Sequence, residues 1–408
     1  MSHPTARRNF ISAIGKIGLA NALAQFVPSG ENETLNEVFS ADPEAGHVFL
    51  ANPYLQAPQP DSMTIMWITN ELCHSWVEYG EAGQLNQKAQ EGCNGLVNAW
   101  NRVNKIVLKG LKPGTKYGYK VHSKQIKEFQ PYKVTYGETI TSELKYFTTP
   151  AINADTASWL VLNDIHDRPG SFQELLQLNG TAPYDYVFLN GDMFDYQTDE
   201  AQFIKHLLAP CTTAFAAEKP FLFVRGNHET RGRFARNIAD YYTNPGHTQY
   251  FSYKQGPVFN IVLDTGEDKP DTHPVYAGIV DFDAYRREQA LWLEKQLRSN
   301  AARKAKYRVV MMHIPPLYSD EEHGTLQCRE LFLPLFNQYK VNLLICGHTH
   351  KFGMHPAVKG QHNFPIIIGG GPKTGNRTLI RVDADQRQLK AQLWKDDGSK
   401  IGEFVVNG

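Results

Sequence analysis

Residues 160–166 read Leu160-Val-Leu-Asn-Asp164-Ile-His166, an apolar run that stops at Asp-x-His. The same event recurs four times further on. Phe188-Leu-Asn-Gly-Asp192-Met-Phe-Asp195 stops at Gly-Asp-x-x-Asp, and Phe223-Val-Arg-Gly-Asn227-His228-Glu229 stops at Gly-Asn-His-Glu. Val310-Met-Met-His313 ends in a lone imidazole, and Ile345-Cys-Gly-His348-Thr-His350 ends in Gly-His-x-His. Runs apolar on both faces suit strands buried between two layers. In open α/β sheets, ligands bind beyond the carboxyl ends of such strands. Five polar strand ends can therefore converge on one site.

Working outward, the apolar runs are Trp159–Leu162, Tyr186–Leu189, Phe221–Val224, Phe259–Leu263, Arg308–Met312, Val341–Ile345 and Pro365–Ile368. Helical patterns lie between them, for example over 284–298 with apolar positions at Leu291, Leu293 and Leu297. Residues 150–408 are thus expected to form a layered α/β domain. The rhythm changes upstream of Thr148-Thr-Pro150. Over 47–149, short stretches alternate at period two, as in 62–69, 75–79 and 116–122, and the turn Gly110-Leu-Lys-Pro-Gly-Thr-Lys-Tyr117 leads into one of them. That pattern predicts an antiparallel β-sandwich. His74 and His122 stand alone on these strands and are expected to be structural.

Residues 1–24 carry Arg7-Arg8 before Asn9-Phe10-Ile11, a weakly apolar stretch, and Ala22-Leu23-Ala24. This resembles a twin-arginine export signal, which implies a periplasmic or secreted protein. The segment has three basic residues and no acid, so the remainder carries 39 basic against 42 acidic residues. Residues 25–46 are polar and acidic and read as a linker.

Composition narrows the function. The full chain of 408 residues balances 42 basic against 42 acidic side chains, so no basic field indicates nucleic-acid binding. No apolar run approaches the roughly 18–20 residues of a bilayer span, which leaves no stable membrane anchor to expect. Five cysteines without CxxC spacing argue against a disulfide scaffold or a thiolate zinc site.

The polar strand ends supply two carboxylates, four imidazoles and one amide, with Asp195 and His228 left over. Such a thiolate-free set suits borderline and hard divalent ions, Mn, Fe or Zn among them. With one carboxylate shared, it satisfies two ions about 3.5–4 Å apart.

The order and spacing over 158–380 resemble the calcineurin-like metallophosphoesterases. The preceding sandwich makes the chain similar to the purple acid phosphatase branch, whose first domain is fibronectin type III-like. The resemblance implies that Asp164, His166 and His350 hold one metal and Asn227, His313 and His348 the other, with Asp192 bridging. It implies a metal-bridging hydroxide nucleophile, with His228 as general acid, Asp195 pairing with His228, and His323 as a second substrate-contacting histidine. Arg225 and Arg231 flank the motif as phosphate contacts or structural ion pairs. Where the purple branch has Asp-x-Gly and Gly-Asp-x-x-Tyr, this chain has His166 and Asp195, and Tyr196 falls one position late. A tyrosinate–iron colour is therefore not expected. The reading is a dinuclear hydrolase of small-molecule phosphate esters, monoesters first. A phosphodiesterase on the same core and a decayed binding protein are the alternatives.

Overall fold

The structure is a computed structural model that describes residues 46–408. Residues 1–24, expected to be an export signal, and 25–46, expected to be a linker, lie outside the described residues except for Gly46.

The first domain is built around one long strand, Ser62–Glu81. Its first half pairs with Phe49–Gln59 on one side and Ala99–Lys109 on the other. Its second half pairs with Lys116–Gln130 and Gln87–Ala89. Lys133–Thr141 and Lys145–Thr148 extend the sheet beyond Lys116–Gln130. The strand thus joins two layers, and Leu55, Ile65, Trp67, Val77, Tyr119 and Phe147 fill the space between them.

The second domain stacks two six-stranded sheets. In the first, Ala157–Leu162, Tyr186–Asn190 and Phe221–Val224 run parallel. Thr378–Ala384, Gln388–Lys395 and Lys400–Asn407 continue it antiparallel on the other side. In the second, Val258–Leu263, Tyr307–Met312, Leu343–Cys346 and Ile366–Ile368 run parallel, edged by Phe251–Gln255 and Gly353–His355. All seven apolar runs lie in or overlap these strands. Trp159, Val161, Phe188 and Leu222 meet Val262, Val309, Met311 and Ile345 between the sheets. The outer face of the second sheet is covered by the helices Phe282–Leu297, His323–Leu331 and Leu333–Gln338. Within the first of these, Leu293 and Leu297 are buried but Leu291 is 74% exposed, so the inward stripe is narrower than the apolar positions suggest.

The outer face of the first sheet packs on helix Gly170–Gln177, on the helical segment 200–216 and on the sandwich. Ala51, Tyr54, Met66 and Ile68 belong to the same cluster as Leu160, Phe203, Leu207 and Phe221. Tyr54 Oη donates to the Tyr241 carbonyl at 2.7 Å, Tyr119 Oη to the Ala217 carbonyl at 2.7 Å, and Gln56 Nε2 to the Phe221 carbonyl at 3.0 Å. Residues 46–408 accordingly form one compact unit. The five cysteines are free thiols. Among the described residues no helix is long and apolar enough to cross a membrane.

Candidate metal centre

The parallel strands of both sheets end at one place, and the loops there are tied to one another. Asp164 N donates to the Gly191 carbonyl and His166 N to the Asp192 carbonyl, both at 3.0 Å. The loop geometry is strained: Asp164, His166, Asp167, Asp192, His348 and His350 all have φ between 49° and 75°. Non-glycine residues persist there only when the surroundings over-determine them, and such residues cluster at functional sites. Glu229, fully buried, supplies much of that determination. Its carboxylate accepts from the backbone N–H groups of Asp192, Met193, Phe194 and Gly226 at 2.7–3.3 Å. Burial and the nearby Asp192 charge push the Glu229 carboxyl up to about 7. Gly191 is required twice over, by φ of 80° and because a Cβ would lie 2.5 Å from His313 Nδ1.

The side chains converge as two sets that share Asp192. One set is Asp164, His166, Asp192 and His350, and the other is Asp192, His313 and His348; within each, one ligand atom per residue lies within 4.8 Å of the rest. His166 Nε2 is 3.7 Å from both Asp164 Oδ1 and Asp192 Oδ2. His350 Nε2 is 3.3 Å from Asp164 Oδ1, and His313 Nε2 is 3.0 Å from Asp192 Oδ2. Asn227 Oδ1 joins the second set, 3.0 Å from His348 Nδ1. His313 Nδ1 donates to the Asn190 carbonyl at 2.8 Å, which leaves Nε2 as the ring nitrogen that faces the site. Asp164 is steadied by Asn163 Nδ2 at 2.6 Å and by His348 N at 3.0 Å.

This donor set fits a pair of divalent cations. His313 Nε2 and Asp164 Oδ1 are buried without a hydrogen-bond partner among the described residues. The Nε2 atoms of His166 and His350 face each other at 2.9 Å, so both rings turn the same nitrogen toward one place. The electrostatics state the same demand. Burial opposes ionisation of Asp164 and Asp192, yet the surrounding imidazoles hold both carboxyls well below the usual range. Burial likewise opposes charge on His166 and His313, but the two aspartates lift them to about 9 and about 10. His348, buried and beside His313, falls to about 4. The carboxylates thus draw positive charge into a water-poor site, as metal-binding carboxylates do.

His228 and Asp195 are both present at the edge, but their pairing differs from the sequence expectation. The Asp195 carboxylate accepts from His166 Nδ1 at 2.9 Å, whereas His228 Nδ1 donates to the Asp195 backbone carbonyl at 2.6 Å. The Asp195 N–H is also held, donating to Asp167 Oδ2 at 2.9 Å. His228 Nε2 points back into the site, 4.0 Å from Asp192 Oδ2, and accepts from Arg231 Nη1 at 3.2 Å. Burial lowers the His228 pKa, and Arg231 and His166 offset the pull of Asp192. The expected Asp195 carboxylate on His228 is therefore corrected: the ring is held by the Asp195 carbonyl, and burial lowers its pKa.

The remaining candidates are engaged with other partners. His323 Nε2 lies 2.8 Å from Asp283 Oδ1 at the start of its helix, while its neighbour Glu322 comes within 4.0 Å of His348 Nε2. Arg225 is bound to Asp264 through Nε at 2.9 Å and Nη2 at 2.5 Å. Arg231 chelates Glu267 and reaches Asp268. Both arginines are thus paired within the protein. Tyr196 is 56% exposed. His122 stacks on Trp76 in the sandwich at 5.0 Å. The anchoring role of Glu229 was not legible in the sequence. Glu229 stands in the Gly-Asn-His-Glu motif, but a motif does not say that its last carboxylate binds backbone.

Comparison with known proteins agrees with this architecture. Residues 158–352 match the model of the calcineurin-like phosphoesterases, and residues 50–149 match the purple acid phosphatase N-terminal domain. The chain is 23% identical over 425 residues to "Probable purple acid phosphatase 20" of Arabidopsis thaliana, covering 97% of this chain and 90% of that protein. Among solved structures it resembles purple acid phosphatase PPD1 from yellow lupin seeds, with TM-score 0.65, 17% identity, and 87% and 74% of the two chains covered. It also resembles PhoD, with TM-score 0.59, 13% identity and 88% of each chain covered. With the strand order, the two side-chain sets and both matched segments in agreement, this chain is a metallophosphoesterase, a calcineurin-like phosphoesterase domain behind a purple acid phosphatase N-terminal domain.

Proposed function

We propose that this chain hydrolyses phosphate monoesters, with Asp164, His166, His350 and Asp192 holding one divalent cation and Asp192, Asn227, His313 and His348 the other. The observation that carries the reading is the sharing of Asp192 by two side-chain sets, the arrangement a two-ion site requires. When bound, the ions supply Lewis acidity toward phosphoryl oxygens and acidify water. The chain's own residues do the rest. His228 stands beside the shared aspartate with Nδ1–H tied to a carbonyl, so only Nε2 is available to the substrate. A phosphate arriving beside Nε2 takes over the Arg231 N–H, and its negative charge favours the imidazolium. His228 then gives its Nε2 proton to the leaving alkoxide, a contribution typically of about 10²–10⁴ in rate. The donor set contains no phenolate, so no tyrosinate colour accompanies it. The twin-arginine reading of residues 1–24 proposes export, and it rests on Arg7-Arg8 and the cleavage-site residues alone.

The test is a paired assay of the full chain with para-nitrophenyl phosphate and bis(para-nitrophenyl) phosphate, reloaded in turn with Mn²⁺ and Zn²⁺. Preferential turnover of the monoester is expected. Preference for the bis-ester would reassign the chain as a phosphodiesterase, and inactivity with every metal would reject catalysis.

A further inference from the structure

The turn that carries Asn227 and His228 continues into a second feature that the hydrolytic reading does not use. Thr230 and Arg231, the last residues of that turn, form one wall of a cavity of about 520 Å³. The cavity opens next to His228, because Arg231 touches both the cavity and the His228 ring. The cavity therefore adjoins the His228 side of the metal centre. Its lining is cationic and apolar together: Arg233, Arg236 and Lys269 supply the charge, and Val275 and Ile279 supply bare apolar surface, 67% and 65% exposed.

The charges are not equivalent. Lys269 is bound to Asp268 at 2.9 Å, and Arg231 is neutralised by Glu267 and Asp268. Glu267, the acidic group of the lining, is itself taken up by Thr230, Arg231 and Tyr276. Arg233 and Arg236 differ. Each gives one N–H to a backbone carbonyl, Thr198 at 3.1 Å and Ile279 at 3.0 Å, and neither has a carboxylate partner among the described residues. They are three apart on one helical turn, Arg233–Arg236, so both guanidinium groups line the same cavity. Within the same lining, and among the described residues, Arg231 is matched with acids, whereas Arg233 and Arg236 are not. Two unmatched guanidinium groups beside an apolar wall, next to a leaving-group histidine, suit an anion carried on the leaving group.

We infer that the preferred substrates are phosphate esters whose leaving group bears a second anionic group, a phosphate or carboxylate, bound by Arg233 and Arg236 across the apolar wall. The inference rests on the monoesterase reading. The scissile phosphate occupies the metal centre, the carbon skeleton lies along Val275 and Ile279, and the second anion meets the guanidinium pair. These arginines determine specificity and stay clear of the reacting atoms.

The test uses the metal-loaded full chain with alkyl phosphates that differ only in a second phosphate: propyl and hexyl phosphate against propane-1,3-diyl and hexane-1,6-diyl bisphosphate. Two equivalent ends alone give a bisphosphate about a twofold advantage. For at least one chain length we expect an advantage in kcat/KM of about tenfold or more, the value of one charge-assisted contact. In Arg233→Gln/Arg236→Gln the ratio of the two kcat/KM values should fall to about two, mainly through KM. Lysine at both positions should restore part of it. Both side chains are exposed, so the variants should fold and hold their metal. A ratio near two in the unaltered chain, or a high ratio that survives the glutamine variant, would overturn the inference and leave the monoesterase reading standing. Failure to hydrolyse any of the four esters would overturn both.

Discussion

At Asp195 the carboxylate and the carbonyl serve different histidines, the first fixing a metal-facing imidazole and the second fixing the imidazole beside the substrate. Asparagine preserves the backbone contact but replaces an anionic acceptor on His166 Nδ1 with a neutral one. Groups that orient a metal-ligating histidine are typically worth about 10–100-fold in metal affinity. Asp195→Asn should therefore weaken one of the two ions by that factor, measured by titration of the metal-free chain, and leave the other unchanged. Equal weakening of both, or of neither, would contradict the assignment. The sequence names both Asp195 and His228 and pairs them, but not through the right atom, because which atom of Asp195 faces which ring depends on the fold of the loop.

The strands were legible because burial on both faces leaves an unbroken apolar run, and their polar ends were legible because so few residue types follow such runs here. The loop geometry was not, since it depends on contacts between successive strand ends. Gly226 shows this. A Cβ there would fall 2.1 Å from Asp192 Oδ1 and 2.7 Å from Asp192 N. Gly226→Ala should push the shared carboxylate out of place, at a typical overpacking cost of about 1–3 kcal/mol. We expect a lower melting temperature together with reduced metal content. A variant with unaltered metal stoichiometry would show that the two loops have slack the structure does not display. Helix Phe282–Leu297 gives the opposite lesson: Leu291 is apolar, lies within a correctly read helix and faces solvent. Hydrophobicity at one position does not define a face.

On the scale of the whole molecule, the period-two pattern of 62–69 predicts one buried face, and the structure buries both. Met63, Ile65 and Trp67 fill the sandwich, while Met66 and Ile68 join the core of the catalytic domain. The signal was present in the apolar residues at the off-face positions, but alternation alone cannot say what covers them. A chain beginning at Ala154 would uncover Phe203, Leu207 and Phe221 and leave the Phe221 and Tyr241 carbonyls without their partners. It should be less stable, bind a hydrophobic dye and recover little activity. A truncated chain that melts like the full one would contradict the shared core.

The account as a whole turns on one dinuclear centre shared through one carboxylate, and metal content per full-length chain tests that most directly. Elemental analysis of the purified protein and of Asp192→Asn, both exchanged into metal-free buffer after loading, should give two ions per chain for the first and loss from both sites for the second, with phosphatase activity lost in parallel. Two ions retained in Asp192→Asn, or a single ion in the unaltered chain at saturation, would contradict it.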